Sequence, residues 1–134
     1  MLSGTLGELG AIVPTVSSLY ISNSGETLFY LSSAPLDCAQ LTESRWLGKA
    51  TAGSQVVEIV IKGAPKIGPI EGEVNYAPGG KSSAYEVGAD TNVITFTEVV
   101  PSSVVAGTVT ATYEDGSKLS GTFRATFCDK GQGY

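Results

Sequence analysis

Hydrophobic and polar positions alternate most regularly near the end of the chain, across residues 104–128. Val105, Gly107, Val109, Ala111 and Tyr113 share one parity, and Thr108, Thr110 and Thr112 take the other. Beyond one turn, Leu119, Phe123, Ala125 and Phe127 oppose Lys118, Ser120, Thr122, Arg124 and Thr126. A period of two residues puts one side of a strand on a core and the other in water, so these runs predict a half-buried antiparallel hairpin. Facing residues in a hairpin lie on the same side of the sheet. A two-residue Asp115-Gly116 loop would set Tyr113 against Lys118, whereas a Glu114-Asp115-Gly116 loop pairs Tyr113 with Ser117, Ala111 with Leu119 and Val109 with Gly121. The longer loop also places Gly116 where a type I turn with a G1 bulge needs a left-handed residue. Gly121, in a position that calls for a side chain, signals close approach or a bend.

Earlier segments carry the same period. Residues 3–11 (SGTLGELGA) read as a glycine-punctuated first strand at an edge. Residues 16–22 and 27–32 flank Asn23-Ser24-Gly25-Glu26 as a hairpin, with apolar side chains on both faces. Such strands are central or are covered by another element. Alternation fails over 35–50 (PLDCAQLTESRWLGKA), where Asp37 is placed to cap a short helical turn carrying Cys38 and Leu41. Trp46 and Leu47 then follow as a lid. Residues 55–62 (QVVEIVIK) form a central strand with Val57, Ile59 and Ile61 inward, and two prolines break it over 63–69. Weaker strands at 72–77 and 84–87 and a longer one at 92–100 lead into the final hairpin. The sum is about nine strands and one short helix, an all-β, antiparallel β-sandwich in a single domain over 1–134, with a β-barrel as the alternative.

Composition narrows the function more than it identifies it. The 134 residues are 42% hydrophobic and 16% charged, which is globular rather than disordered. Net charge is −5 and the eight Lys and Arg are scattered, so no basic patch offers itself to nucleic acid or to an anionic membrane. No run reaches the roughly 18–20 apolar residues of a transmembrane helix. The opening Met1-Leu2-Ser3-Gly4 leads directly into domain-like sequence, so an export segment is not expected within this chain.

Cys38 and Cys128 are the two cysteines. Pairing them would close a loop of about 90 residues, worth about 4–5 kcal/mol by chain entropy, and would pin the last strand where it runs out. The disulfide is the favoured reading, with two buried free thiols as the other, and it places the protein outside the cytoplasm.

Three pieces also resemble a known group: the opening SGTLGELG, the step TLFYLSSAPLDCAQL, and the close GTVTATYEDGSKLSGTFRATFC. They are similar to myxobacterial-type secreted lipoproteins, β-sandwich domains with no established activity. The likeness rests on Leu31-Ser32 to Asp37-Cys38-Ala39-Gln40-Leu41, and on Gly107-Thr108, Asp115-Gly116, Leu119, Gly121, Phe123 and Cys128, with Tyr113 where the group usually has Phe. It covers both ends of the chain but not residues 42–102. It implies a diderm cell envelope, a lipid anchor on a cysteine outside this chain, and pairing of the two cysteines.

With no histidine, Ser-His-Asp and Cys-His catalysis and imidazole metal sites are excluded. Two cysteines without a CxxC make no zinc site, and no metal or other cofactor is expected. Glu71 and Glu73 share a strand face, with Glu86 or Glu98 as partners, and a carboxylate hydrolase is the unfavoured enzymatic alternative. Glu114, Asp115 and Asp129 lack a calcium-loop pattern. Pro78-Gly79-Gly80-Lys81 lacks the spacing of a phosphate loop. The aromatics in irregular segments, Trp46, Tyr76, Tyr85 and Tyr134, are candidates for ligand binding by stacking, against ordinary core packing. The leading expectation is a non-enzymatic binding or structural module of the cell envelope, with a protein or glycan partner. Carbohydrate recognition and self-association through edge strands such as 3–11 stand beside it.

Overall fold

The computed structural model describes residues 1–134, the side chain of Ser83 excepted. Ten strands are present: β1 (Leu2–Thr5), β2 (Ser17–Asn23), β3 (Glu26–Ser32), β4 (Gln55–Lys62), β5 (Gly68–Ile70), β6 (Gly72–Pro78), β7 (Val87–Gly88), β8 (Thr91–Val100), β9 (Val104–Thr112) and β10 (Lys118–Phe127). They join in the order β5-β8-β9-β10-β2-β3-β4-β6-β7, with β1 added to β10. The sheet turns back on itself at β10. The first half of that strand pairs with β1, and its end pairs with β2 through Thr126–Leu19 and Phe127–Tyr20. This short contact is parallel, an exception to the expected antiparallel order. The sheet does not close into a barrel, and a sandwich-like fold results.

Alternation produces the inner core. Odd residues of β9 and β10 point inward with Tyr20, Phe29, Val57, Ile59, Ile61, Val74 and Phe96 from the other strands. Phe29 touches Phe96 and Phe123 across the layers, at centroid distances of 5.4 and 5.8 Å. The final hairpin has the expected register, Leu119 opposite Ala111 and Gly121 opposite Val109. Tyr113 N–H donates to Ser117 O, Gly116 N–H donates to Tyr113 O, and Gly116 has φ +87°. At Gly121, φ is +144°, and a Cβ there would lie 2.0 Å from the Met1 carbonyl oxygen. Close approach of β1 is therefore the reason for the glycine.

Several segments depart from expectation. The first strand ends at Thr5, because Gly7–Leu9 forms a 3-10 turn, and the chain doubles back to bridge Ala11 to Thr5. The buried Gln55 amide fixes this detour, donating to Leu9 O and Ala11 O and accepting from Val13 N–H. Residues 84–87 are not a strand: a 3-10 turn at Ser83–Tyr85 precedes the two-residue β7. The proline-broken 63–69 stretch contributes β5, where Pro69 sits on an edge that tolerates its missing N–H. Asp37 Oδ1 does accept from Gln40 N–H, but the turn it starts is the 3-10 turn Gln40–Thr42. The single α-helical turn, α1, comes later at Trp46–Lys49.

Both faces of β2, β3 and β4 are apolar because both are covered. On the side away from the inner core, Ile21, Leu28, Tyr30, Val56 and Val60 are roofed by Leu41, Trp46, Leu47 and Cys128. The roof is sewn to the chain's end. Trp46 Nε1–H donates to Gln132 O, Gln132 N–H to Leu41 O, and Gln132 Nε2–H to Thr42 O. Cys38 and Cys128 form the disulfide, with Cα atoms 5.4 Å apart. Among the described residues no helix is long and apolar enough to cross a membrane.

Candidate functional site

Two features of the roofed half and its opposite side can carry function. The first is an acidic pair at the roof's margin. Across the outer face, pairing brings Leu19, Tyr30, Glu58, Asn75 and Gly88 into one row over β2, β3, β4, β6 and β7. Glu58 is only 6% exposed. Its Oε1 accepts from Asn75 Nδ2–H at 3.1 Å, and Glu86, from the turn before β7, is near enough for their charges to interact. Burial, and then the neighbouring carboxylates, push Glu86 up to about 8. Burial raises Glu58 as well, opposed first by the hydrogen bond from Asn75. Neighbouring carboxylates disfavour one another's ionised form, which adds to the cost of burial.

Two phenols face the pair. The Tyr30 hydroxyl lies against Glu58 without reaching regular hydrogen-bond geometry, and the buried Tyr134 hydroxyl is likewise unpartnered. Burial raises both phenols above their ordinary range. Beside the pair a shallow polar groove runs along Glu73, Asn75, Glu86, Gly88 and Asn92.

The arrangement differs from the carboxylates expected for hydrolysis. Glu71 and Glu73 are exposed, and Glu98 is paired with Arg124 at 3.2 Å. Of that set Glu86 is raised, by burial first and then by the charge of Glu58. Paired-carboxylate glycoside hydrolysis needs about 5 Å or more between the groups for the sugar or water. Here one carboxyl, Glu58, is buried and bonded to Asn75. Among the described residues no cluster of three or more acidic or sulfur groups is arranged to hold a metal ion.

The aromatic candidates do not assemble into a platform. Trp46 is 0% exposed, its ring edge-on to Tyr30 and Tyr134 at 4.8 and 5.3 Å. Tyr76 is 4% exposed, set against Tyr113 at 5.0 Å, and its hydroxyl donates to the Asp115 carboxylate. Tyr85, 56% exposed under the Lys81 ammonium, is the one ring of the three that faces solvent. Of the two readings, stacking or core packing, Trp46 under the roof and Tyr76 within the β6 register take core packing.

The second feature is the bare outer face of β1, β8, β9 and β10. Strand register sets its side chains in rows: Thr91, Thr112, Lys118 and Thr5 in one, Val93, Thr110, Ser120 and Ser3 in the next, then Thr95, Thr108 and Thr122. Most of these residues are exposed. Strands about 4.8 Å apart give the rows a regular hydroxyl spacing.

Compared with protein-family models, with curated proteins and with solved structures, the chain matches none.

Proposed function

We propose that this chain is a non-enzymatic interaction module of an oxidising, extracytoplasmic compartment, and that the hydroxyl face of β1, β8, β9 and β10 is its contact surface. One observation carries the reading: the two outer faces of the sandwich are treated oppositely. One is roofed, sewn down and closed by the Cys38–Cys128 disulfide. The other is left bare, with its Thr and Ser rows in register over β1, β8, β9 and β10. A disulfide persists where thiols are not kept reduced, which supports the cell envelope or the exterior. The partner is a protein or glycan of that compartment. It would be met by hydroxyls rather than by stacked rings, since Trp46 and Tyr76 are buried.

The test is cosedimentation of the purified protein with peptidoglycan sacculi and outer-membrane vesicles from a diderm bacterium. Thr108→Glu, Thr110→Glu and Thr122→Glu together should weaken binding at least about tenfold, the equivalent of 1.4 kcal/mol. These side chains are exposed, so the fold should survive. No binding by the wild type, or equal binding by the variant, would overturn the assignment.

A further inference from the structure

Strand β10 has a gap in its pairing on the side away from β9. Strand β1 follows it as far as Leu2 opposite Gly121, with Thr122 N–H still donating to Met1 O. Strand β2 takes over only at Thr126, opposite Leu19. Among the described residues, Phe123, Arg124 and Ala125 therefore have no strand partner on that side, although β9 pairs with all three on the other. Backbone groups of alternate residues point to the same edge of a strand. Thr122 N–H marks the even residues as those that face the gap, so Arg124 N–H and C=O point into it. On the opposite wall, Tyr20 C=O accepts from Cys128 N–H, which turns Ser18 N–H toward the same gap.

The gap is the bottom of a cleft of about 580 Å³ that opens beside the hydroxyl face. Its floor is Leu2, Leu31 and Phe123, three residues of the inner core that are 5, 2 and 7% exposed. With so little apolar surface in reach, a methyl group fits and an acyl chain does not. Thr15, Thr108 and Thr122 stand around the rim. The one charged side chain in the lining, Arg124, is paired with Glu98 at 3.2 Å, so the cleft offers hydroxyls and backbone to a neutral group. Met1 closes one end of the gap and the Thr126–Leu19 pair the other. A continuous strand from a partner has no way through, whereas a pendant group does.

We infer that this cleft binds the acetamido group of an N-acetylated amino sugar, which makes the partner a glycan; the inference rests on the hydroxyl face being the contact surface. A secondary amide is planar, and its C=O and N–H point in opposite directions. In the gap the carbonyl accepts from Ser18 N–H and the amide N–H donates to Arg124 C=O, the bonds an intervening strand would make. The methyl group lies over Leu31 and Phe123, and the sugar ring stays outside with its hydroxyls on Thr108 and Thr122. A few convergent polar groups above an apolar floor are the usual make-up of a small-ligand site. The amide is what selects the sugar. A hydroxyl in its place reaches one wall only, leaves the other unpaired and loses the methyl contact.

Titration of the 15N-labelled protein with a β-1,4-linked N-acetylglucosamine tetramer tests the site. Cellotetraose, which carries hydroxyls in place of the acetamido groups, is the control. The amides of Ser18 and Arg124 should shift with the acetylated sugar, and its Kd should be at least about tenfold lower than that of cellotetraose. Ser18 lines the cleft, so Ser18→Leu narrows it and should abolish the preference. Should that variant not fold, the wild-type comparison decides alone. Equal affinity for the two sugars, no binding of either, or shifts confined to other residues would overturn the proposal. The two readings fail separately. Sedimentation with sacculi without a preference for the acetylated tetramer removes the acetamido site and leaves the contact face. The preference without sedimentation removes the envelope assignment and leaves the site.

Discussion

The indole of Trp46 stands edge-on to the ring of Tyr30, with centroids 4.8 Å apart and planes at 80°. That contact converts an irregular segment into part of the core, since Trp46 then donates to Gln132 O and draws the end of the chain over the sheet. Trp46→Ala should cost about 3–5 kcal/mol in urea unfolding followed by circular dichroism. Trp46→Phe should cost less, losing the indole hydrogen bond but keeping a ring. A near-neutral Trp46→Ala would mean the roof contributes little.

The hydroxyl of Tyr76 ties β6 to the final turn through Asp115 and Ser117. Tyr76→Phe keeps the ring against Tyr113 and loses these bonds, so a loss of about 1 kcal/mol is expected. The Asp115 carboxylate is held below its ordinary range, first by Ser117 and then by Tyr76. A depressed carboxylate stabilises the fold above its unfolded pKa and ceases to do so as pH falls through the folded value. The wild type should therefore lose more stability between pH 5 and pH 2 than Tyr76→Phe does, as read by urea midpoints.

Two glycines with positive φ should respond differently to substitution. A Cβ on Gly116 would meet nothing within 4 Å, whereas on Gly121 it would collide with Met1 backbone. Gly116→Ala should cost about 1–2 kcal/mol, the strain of a left-handed alanine. Gly121→Ala adds displacement of β1, and amide exchange at β1 should accelerate in this variant alone.

Much of this fold was legible because alternation, turn glycines and two-sided apolar strands each report one local physical requirement. The loop at Glu114-Asp115-Gly116 followed from parity, and the covered face of β3 followed from apolar residues on both sides. What the pattern missed were positions where tertiary contacts override period. Glu58 lies inside the apolar run QVVEIVIK and shares the outer parity of Val56 and Val60, a buried charge whose signal was its surroundings. Its nearness to Glu86 depends on the path of residues 81–90, which local sequence does not encode. Trp46 was legible as part of a lid, but the tail that closes over it through Gln132 lies far away in sequence. Gln55 looked like a strand end, although its amide organises the chain after β1.

Burial of the Glu58 and Glu86 carboxyls also gives the stability profile a definite slope. Glu58 and Glu86 are raised, Glu86 to about 8, so the folded chain retains protons that the unfolded chain releases near the ordinary value of 4.5. Their stabilising effect is complete below that ordinary value and is lost as pH rises through the folded one. The urea midpoint should therefore be higher at pH 5 than at pH 9. Glu86→Gln should remove most of the difference, and a wild-type midpoint that rises over this interval would contradict the buried pair.

The most direct measurement is thiol alkylation of the native protein, isolated from its cells under quenching conditions and weighed intact by mass spectrometry. The account predicts that Cys38 and Cys128 take up no reagent until reduced, and that reduction lowers stability by about 2–5 kcal/mol. Two freely alkylated thiols in a folded protein that loses nothing on reduction would contradict both the stapled roof and the oxidising compartment.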